Sequence, residues 1–235
     1  GIFSRGIVTI ENSTISGNTA TAVGGGIHSD DGTLTITSSN IIDNQAFAAG
    51  GISNINYGNA GVMNIVDSTF SCNTADVDAG ALFTEGGEVI ISNSTFSNNS
   101  AVDKGGAIYL YTANEFSPRV TVNDGSLFDQ NSATDGGAFY LETSDSIVFF
   151  NDSTASNNTS TASGGAFFNL GDLNIIRSNV IDNQTDTSGG AVLNANSLSV
   201  AASTFTGNSV TNVTTGTGGA IASTFGVNFI AGSVF

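Results

Sequence analysis

The phrase Ser-x-Φ-x-x-Asn, with Φ apolar, returns eight times along this chain, each time after a doublet of small residues followed by an aliphatic or aromatic one. The doublets are Gly25-Gly26-Ile27, Gly50-Gly51-Ile52, Gly80-Ala81-Leu82, Gly106-Ala107-Ile108, Gly137-Ala138-Phe139, Gly165-Ala166-Phe167, Gly190-Ala191-Val192 and Gly219-Ala220-Ile221, with Gly1-Ile2 as a shortened first copy. The asparagines are Asn18, Asn44, Asn73, Asn99, Asn131, Asn158, Asn183 and Asn208. Three residues before them stand Ile15, Ile41, Phe70, Phe96, Phe128, Ala155, Val180 and Phe205. A unit that recurs every 25 to 32 residues cannot close a core of its own, so it must bury its apolar face on its neighbours in a stack.

Between the two elements lies a short apolar alternation, such as Leu34-Thr35-Ile36, Met63-Asn64-Ile65 or Leu173-Asn174-Ile175. Period two means strand, and Gly, Asn, Asp and Ser between the segments mean turns. Helical spacing is absent. Each unit therefore predicts three short strands: after the doublet, at the alternation and at Ser-x-Φ. With no helix to cross over, this pattern gives an all-β, single-domain right-handed parallel β-helix of about 27 residues per rung and eight to nine rungs, roughly 40 Å long. Φ should face inward and stack on its equivalents. The asparagine should sit at a corner, in a left-handed backbone conformation, with its amide bonded to the same amide one rung away. All eight asparagines are expected to be structural, and the doublets to let successive rungs approach closely.

The repeat leaves no room for a linker, so residues 1–235 read as one β-helix domain, and because both ends fall inside a repeat they read as part of a longer protein. No apolar run approaches a membrane span, and this segment is expected not to insert in a membrane. The formal charge of −16 arises because 20 acids face only four bases, Arg5, Lys104, Arg119 and Arg177. Such a chain cannot neutralise a row of phosphates, which argues against nucleic acid. Cys72 is the only cysteine, so no intrachain disulfide supports the fold.

The paired signature resembles the repeat of the polymorphic outer membrane protein family and of related right-handed β-helix surface proteins. Its cleanest copies are Gly105-Gly106-Ala107-Ile108, Gly189-Gly190-Ala191-Val192, Phe70-Ser71-Cys72-Asn73 and Phe96-Ser97-Asn98-Asn99. The resemblance covers the whole chain and implies export to the cell surface, with roles in adhesion or self-association. Ala155, where phenylalanine is expected, and the lack of a membrane-barrel region depart from it.

Three function classes follow. The first is a non-enzymatic extracellular adhesin, stalk or self-assembling fibre subunit, whose partners are further copies end to end or cell-surface glycans and proteins. A polysaccharide lyase or hydrolase of the pectate-lyase-like fold is the second, and a carbohydrate-binding module the third. A lyase of this kind resembles others in gathering acids around Ca²⁺ beside a base. Here Lys104 precedes its doublet, and equivalent positions on adjoining rungs hold Asp78 and Asp135, with Asp76 and Asp103 close by. A surface salt-bridge ladder accounts for that set, leaving Asp76, Asp78, Asp103 and Asp135 as weak metal candidates, with Ca²⁺ the cofactor they would take. Arg119 and Arg177 lack a stacked cluster of acids and receive no catalytic role. The other acids are scattered, including Glu142 and Asp145 in one loop and Glu85 and Glu88 in a turn, and His28 is expected to be an exposed strand residue. No catalytic residue is assigned.

The most suggestive column is the one sent outward by alternation after each doublet: Phe3, His28, Ser53, Phe83, Tyr109, Tyr140, Phe168, Leu193 and Ala222. Phe83, Tyr109, Tyr140 and Phe168 would then show four successive rings to a sugar or protein partner. The competing reading buries them, or has insertions at 111–118 and 142–146 fold over them. Asn-x-Ser/Thr sequons at Asn12, Asn93, Asn98, Asn151, Asn157, Asn158, Asn183 and Asn212 reflect the abundance of turn residues.

Overall fold

A computed structural model describes residues 1–57, 61–112, 116–212, 214 and 216–235, with the side chain of Val227 left aside. No helix occurs among the described residues. The strands form four sheets, two of nine strands and two of eight, and every strand pairs in parallel with its equivalents one repeat before and after. The chain is thus a β-solenoid in which each repeat makes one four-sided rung.

The first face collects the strands after the doublets, such as Ile52–Ile55, Leu82–Glu85 and Ile108–Tyr111. Ile27, Ile52, Leu82, Ile108, Phe139, Phe167 and Val192 point inward from it and are fully buried. Alternation puts two inward residues on each second-face strand, for example Val89 and Ile91 of Glu88–Ser92. The third face carries Φ, and Phe70, Phe96 and Phe128 lie ring on ring at 4.5 and 4.7 Å.

A fourth face was not expected from the sequence. Strands such as Thr74–Ala75, Ser100–Ala101 and Ser132–Asp135 follow the asparagines and pair in register. Their inward residues are small: Ala75, Ala101 and Ala133 form a narrow apolar cluster of their own. Two or three residues of Thr, Ser and Ala carry no apolar alternation, so the rung reads as three-sided until neighbouring rungs supply the pairing.

Three of the four corners have their own device. The asparagines form an unbroken ladder in which each side-chain Nδ2 donates to the Oδ1 of the next at 2.9 to 3.0 Å. The same Oδ1 also accepts the backbone N–H of the asparagine one rung back. The left-handed conformation expected of these asparagines belongs instead to the residue before each: Asp43, Cys72, Asn98, Gln130, Asn157 and Asp182, with Gly17 and Gly207 in the end copies. The preceding residue makes the sharp bend, and the asparagine itself turns inward.

The serines of Ser-x-Φ make a second ladder. The N–H groups of Ser13, Ser39, Ser68, Ser94, Ser153, Ser178 and Ser203 donate to the hydroxyl of the serine one rung on. At the third corner a side chain on the first residue of the doublet, as at Gly80 or Gly106, would fall on the carbonyl oxygen of the next doublet. That contact explains why this position is glycine from Gly25 to Gly190.

Candidate functional site

The outward column after the doublets is in the register read from the sequence: Ser53 pairs with Phe83, Phe83 with Tyr109, Tyr109 with Tyr140, and Tyr140 with Phe168. Its exposure is not. Tyr109 and Tyr140 are 5% and 6% exposed, and Phe83 and Phe168 are half-buried. The four rings form a second apolar strip with Ala79, Tyr111 and Leu170 on the outside of the first face. Tyr109 meets Phe83 and Tyr140 edge-on at 5.4 and 5.6 Å, and Tyr140 lies flat on Phe168 at 4.7 Å. Of the two readings of this column, burial is the one seen and open rings are not: the rings cover one another, and a polar cluster with Glu142 of the 142–146 insertion closes over the middle pair.

That cluster centres on Lys104. Its backbone bridges that of Asp135 on the next rung, and its carbonyl accepts the N–H of Ala79, which follows Asp78. The column Asp78, Lys104, Asp135 is therefore the one read from the sequence, but the ammonium is paired elsewhere. Lys104 Nζ reaches Glu142 Oε2 at 3.0 Å, passing 5.6 and 5.3 Å from the ring centres of Tyr109 and Tyr140. Tyr109 OH donates to the same Oε2 at 3.1 Å. Glu142 opens the 142–146 insertion, whose position in sequence gave no hint of this partner, and it replaces the stacked ladder expected for Lys104. Of the other insertion, 113–115 lie outside the described residues.

The remaining acids take separate roles. Asp135 accepts the N–H of Ser163 at 3.0 Å, and Asp76 accepts from Gln45 at 3.4 Å. Asp78 Oδ1 is buried without a hydrogen-bond partner. Burial pushes the Asp78 carboxyl up, with Lys104 pulling against it, and burial also raises Asp135. For Lys104, burial is outweighed by the hydrogen bond and charge of Glu142, so the ammonium is held more firmly than usual. Burial raises both tyrosine hydroxyls, and Glu142 adds to it. No group of three or more His, Cys, Asp or Glu side chains arranged to hold a metal occurs among the described residues.

The other bases are paired across rungs: Arg5 with Asp30 at 2.8 Å, Arg119 with Glu88 at 3.7 Å and Arg177 with Asp152 at 2.6 Å. Arg119 also lies over Phe149 at 4.3 Å. His28 is half-buried, not exposed, and stacks on Phe3 at 5.4 Å. Glu85 and Glu88 end and begin strands, leaving the turn to Gly86 and Gly87. Glu85 is 8% exposed, with Oε1 lacking a hydrogen-bond partner. Asn158 and Asn183 of the sequons are buried rungs of the asparagine ladder.

Neither the curated proteins nor the solved structures compared with the chain yield a match. Residues 12–30 and 93–111 match the model of the Chlamydia polymorphic membrane protein repeat. Each matched segment starts at a left-handed asparagine before a ladder serine, runs through the ladder asparagine and the doublet, and ends with a first-face strand. It thus holds all three corner devices and omits the second face. The chain is thus a parallel β-helix repeat protein, two of whose repeats are similar to the Chlamydia polymorphic membrane protein repeat.

Proposed function

We propose that the chain is a rigid, surface-displayed β-helix that works as an adhesive module or stalk and not as an enzyme. The observation that carries this reading is the asparagine ladder, unbroken from Asn18 to Asn208. A continuous line of buried amide hydrogen bonds resists bending and shear between rungs. The match to a membrane-protein repeat favours a cell-surface location. The partners proposed are glycans or proteins of a facing cell surface, with end-to-end copies of the chain as a second contact. A lyase would need its base free beside converging acids, whereas Lys104 is engaged by Glu142.

Beads coated with the folded chain should attach to cells more than beads coated with heat-unfolded chain, and antibodies to the chain should label intact producing cells. Release of sugar ends from anionic polysaccharides, abolished by Lys104→Gln, would overturn the reading in favour of a lyase.

A further inference from the structure

Alternation turns both Phe83 and Glu85 to the outer side of the first-face strand Leu82–Glu85. Phe83 lies in register between Ser53 and Tyr109, and Glu85 between Ile55 and Tyr111. The Phe83 ring centre is 5.4 Å from that of Tyr109 and 6.4 Å from that of Tyr111, so Glu85 stands at a corner of apolar and aromatic side chains. Phe83 and Tyr111 are half-buried, in contrast to the closed pair Tyr109 and Tyr140.

Two polar groups of this patch are unmet. Glu85 is nine-tenths buried, and its Oε1 has no hydrogen-bond partner. Ser53 is fully buried and its Oγ has none either, so unmet groups flank Phe83 along its strand and across to the next rung. Packing against rings needs no carboxyl, and an unpaired acceptor there costs stability that a donating ligand returns. The bases of the chain do not supply that donor, since all four are in ion pairs with other acids. Burial alone raises the Glu85 carboxyl, which favours its uncharged form and weakens its pull on a cation. A half-open aromatic face beside such a carboxyl is complementary to a sugar, whose C–H face packs on a ring while its hydroxyls donate and accept. An acidic sugar would meet repulsion from a chain of net charge −16.

We propose that this patch binds a neutral sugar unit, laid on Phe83 and Tyr111 with one of its hydroxyls donating to Glu85. The site rests on the adhesive role proposed for the chain and names its ligand class. It also gives Glu85 a reason to be an acid in a place where packing alone calls for an apolar residue.

Saturation-transfer NMR on the whole folded chain tests this, with the methyl glycosides of glucose, galactose, mannose and N-acetylglucosamine as probes and glucuronic acid and lysine methyl ester as charged comparisons. The expected result is transfer to at least one neutral glycoside and little to either charged probe. Glu85→Ala and Phe83→Ala should each weaken that binding about tenfold, while Phe149→Ala, which removes a ring on the second face, leaves it unchanged. Glu85→Ala removes an unpaired buried acid and should keep the fold, which circular dichroism checks. The proposal is overturned if no neutral glycoside binds, if lysine methyl ester binds as well as the best sugar, or if Glu85→Ala binds like the wild type. The two readings fail separately: beads bearing the wild-type chain that do not attach to cells overturn the adhesive role, whereas attachment that survives Phe83→Ala undiminished overturns this site alone.

Discussion

A single residue in this fold matters through the copies above and below it. Asn99 shows the arithmetic: its Oδ1 accepts from the backbone and side chain of Asn73, and its Nδ2 donates to Phe70 O and Asn131 Oδ1. Asn99→Ala removes four bonds and strands buried donors and acceptors on two rungs, so a loss of about 3 kcal/mol or more is expected. Asn18→Ala, at a partly exposed end of the ladder, should cost about 1 kcal/mol. Equal losses in chemical denaturation would show that burial is not the determinant. A second test concerns the bends. Ala202 holds a left-handed φ of 50° on the exposed surface where other copies use Asn12, Asp67, Asn93 and Asp152 but also Ser38, Gly125 and Arg177. Ala202→Gly relieves a strain of about 1–2 kcal/mol and adds somewhat less unfolded-state entropy. A small rise in thermal midpoint is expected, and a fall would refute the strain. The ladder asparagines were legible because hydrogen-bonding side chains recur in phase. The bending residues were not, since Asp, Cys, Gln, Asn and Gly share that position and only the backbone is common to them.

At the level of the element, the departure at Ala155 has a packing explanation. Ala155 lies in register with Phe128 on the third face and is fully buried, so a void would be expected beside it. The missing volume comes from other faces, as Phe139 and Phe167 on the first and Phe150 on the second crowd inward there. Phe139 reaches Phe128 at 4.5 Å, and Phe150 reaches Phe167 at 5.3 Å. Ala155→Phe, which restores the apparent consensus, should therefore overpack the core and cost about 1–3 kcal/mol. A stabilised variant would mean the space is empty. Inward residues of the first three faces were readable because large apolar side chains mark period two, whereas the alanine strands of the fourth face have no such contrast. The site divides in the same way. The register of Phe83, Tyr109, Tyr140 and Phe168, and the stacking of Asp78, Lys104 and Asp135, follow from the repeat. The cover does not, because Glu142 enters from a connection whose length and residues change from copy to copy.

Over the whole molecule, charge sets how the stack responds to its solvent. Burial raises the carboxyls of Asp78, Glu85 and Asp135, so the folded chain binds protons more tightly there than the unfolded chain. Stability must then fall as pH rises above about 4, where these groups ionise in the unfolded chain, and level off once they have ionised in the folded one. Asp152, lowered by its bond to Arg177, acts in the opposite sense, but on open surface. The thermal midpoint should accordingly be higher near pH 5 than at pH 7, and Asp78→Asn should flatten the difference; a midpoint that climbs steadily toward pH 7 would contradict it. Salt should act alongside protons. All four bases already sit in ion pairs, so most of the −16 charge is left as repulsion between acids along the stack. Exposed pairs contribute about 1 kcal/mol or less each, and screening them costs little. Screening the acids relieves repulsion that extends over many rungs, and at about 0.1 M salt the screening length is already near 10 Å, roughly two rungs. Raising sodium chloride from about 0.01 M to about 1 M should thus raise the thermal midpoint at pH 7. The gain should shrink at pH 5, where fewer acids are charged. A midpoint that drops with salt at both pH values would mean that the four ion pairs outweigh the acid repulsion.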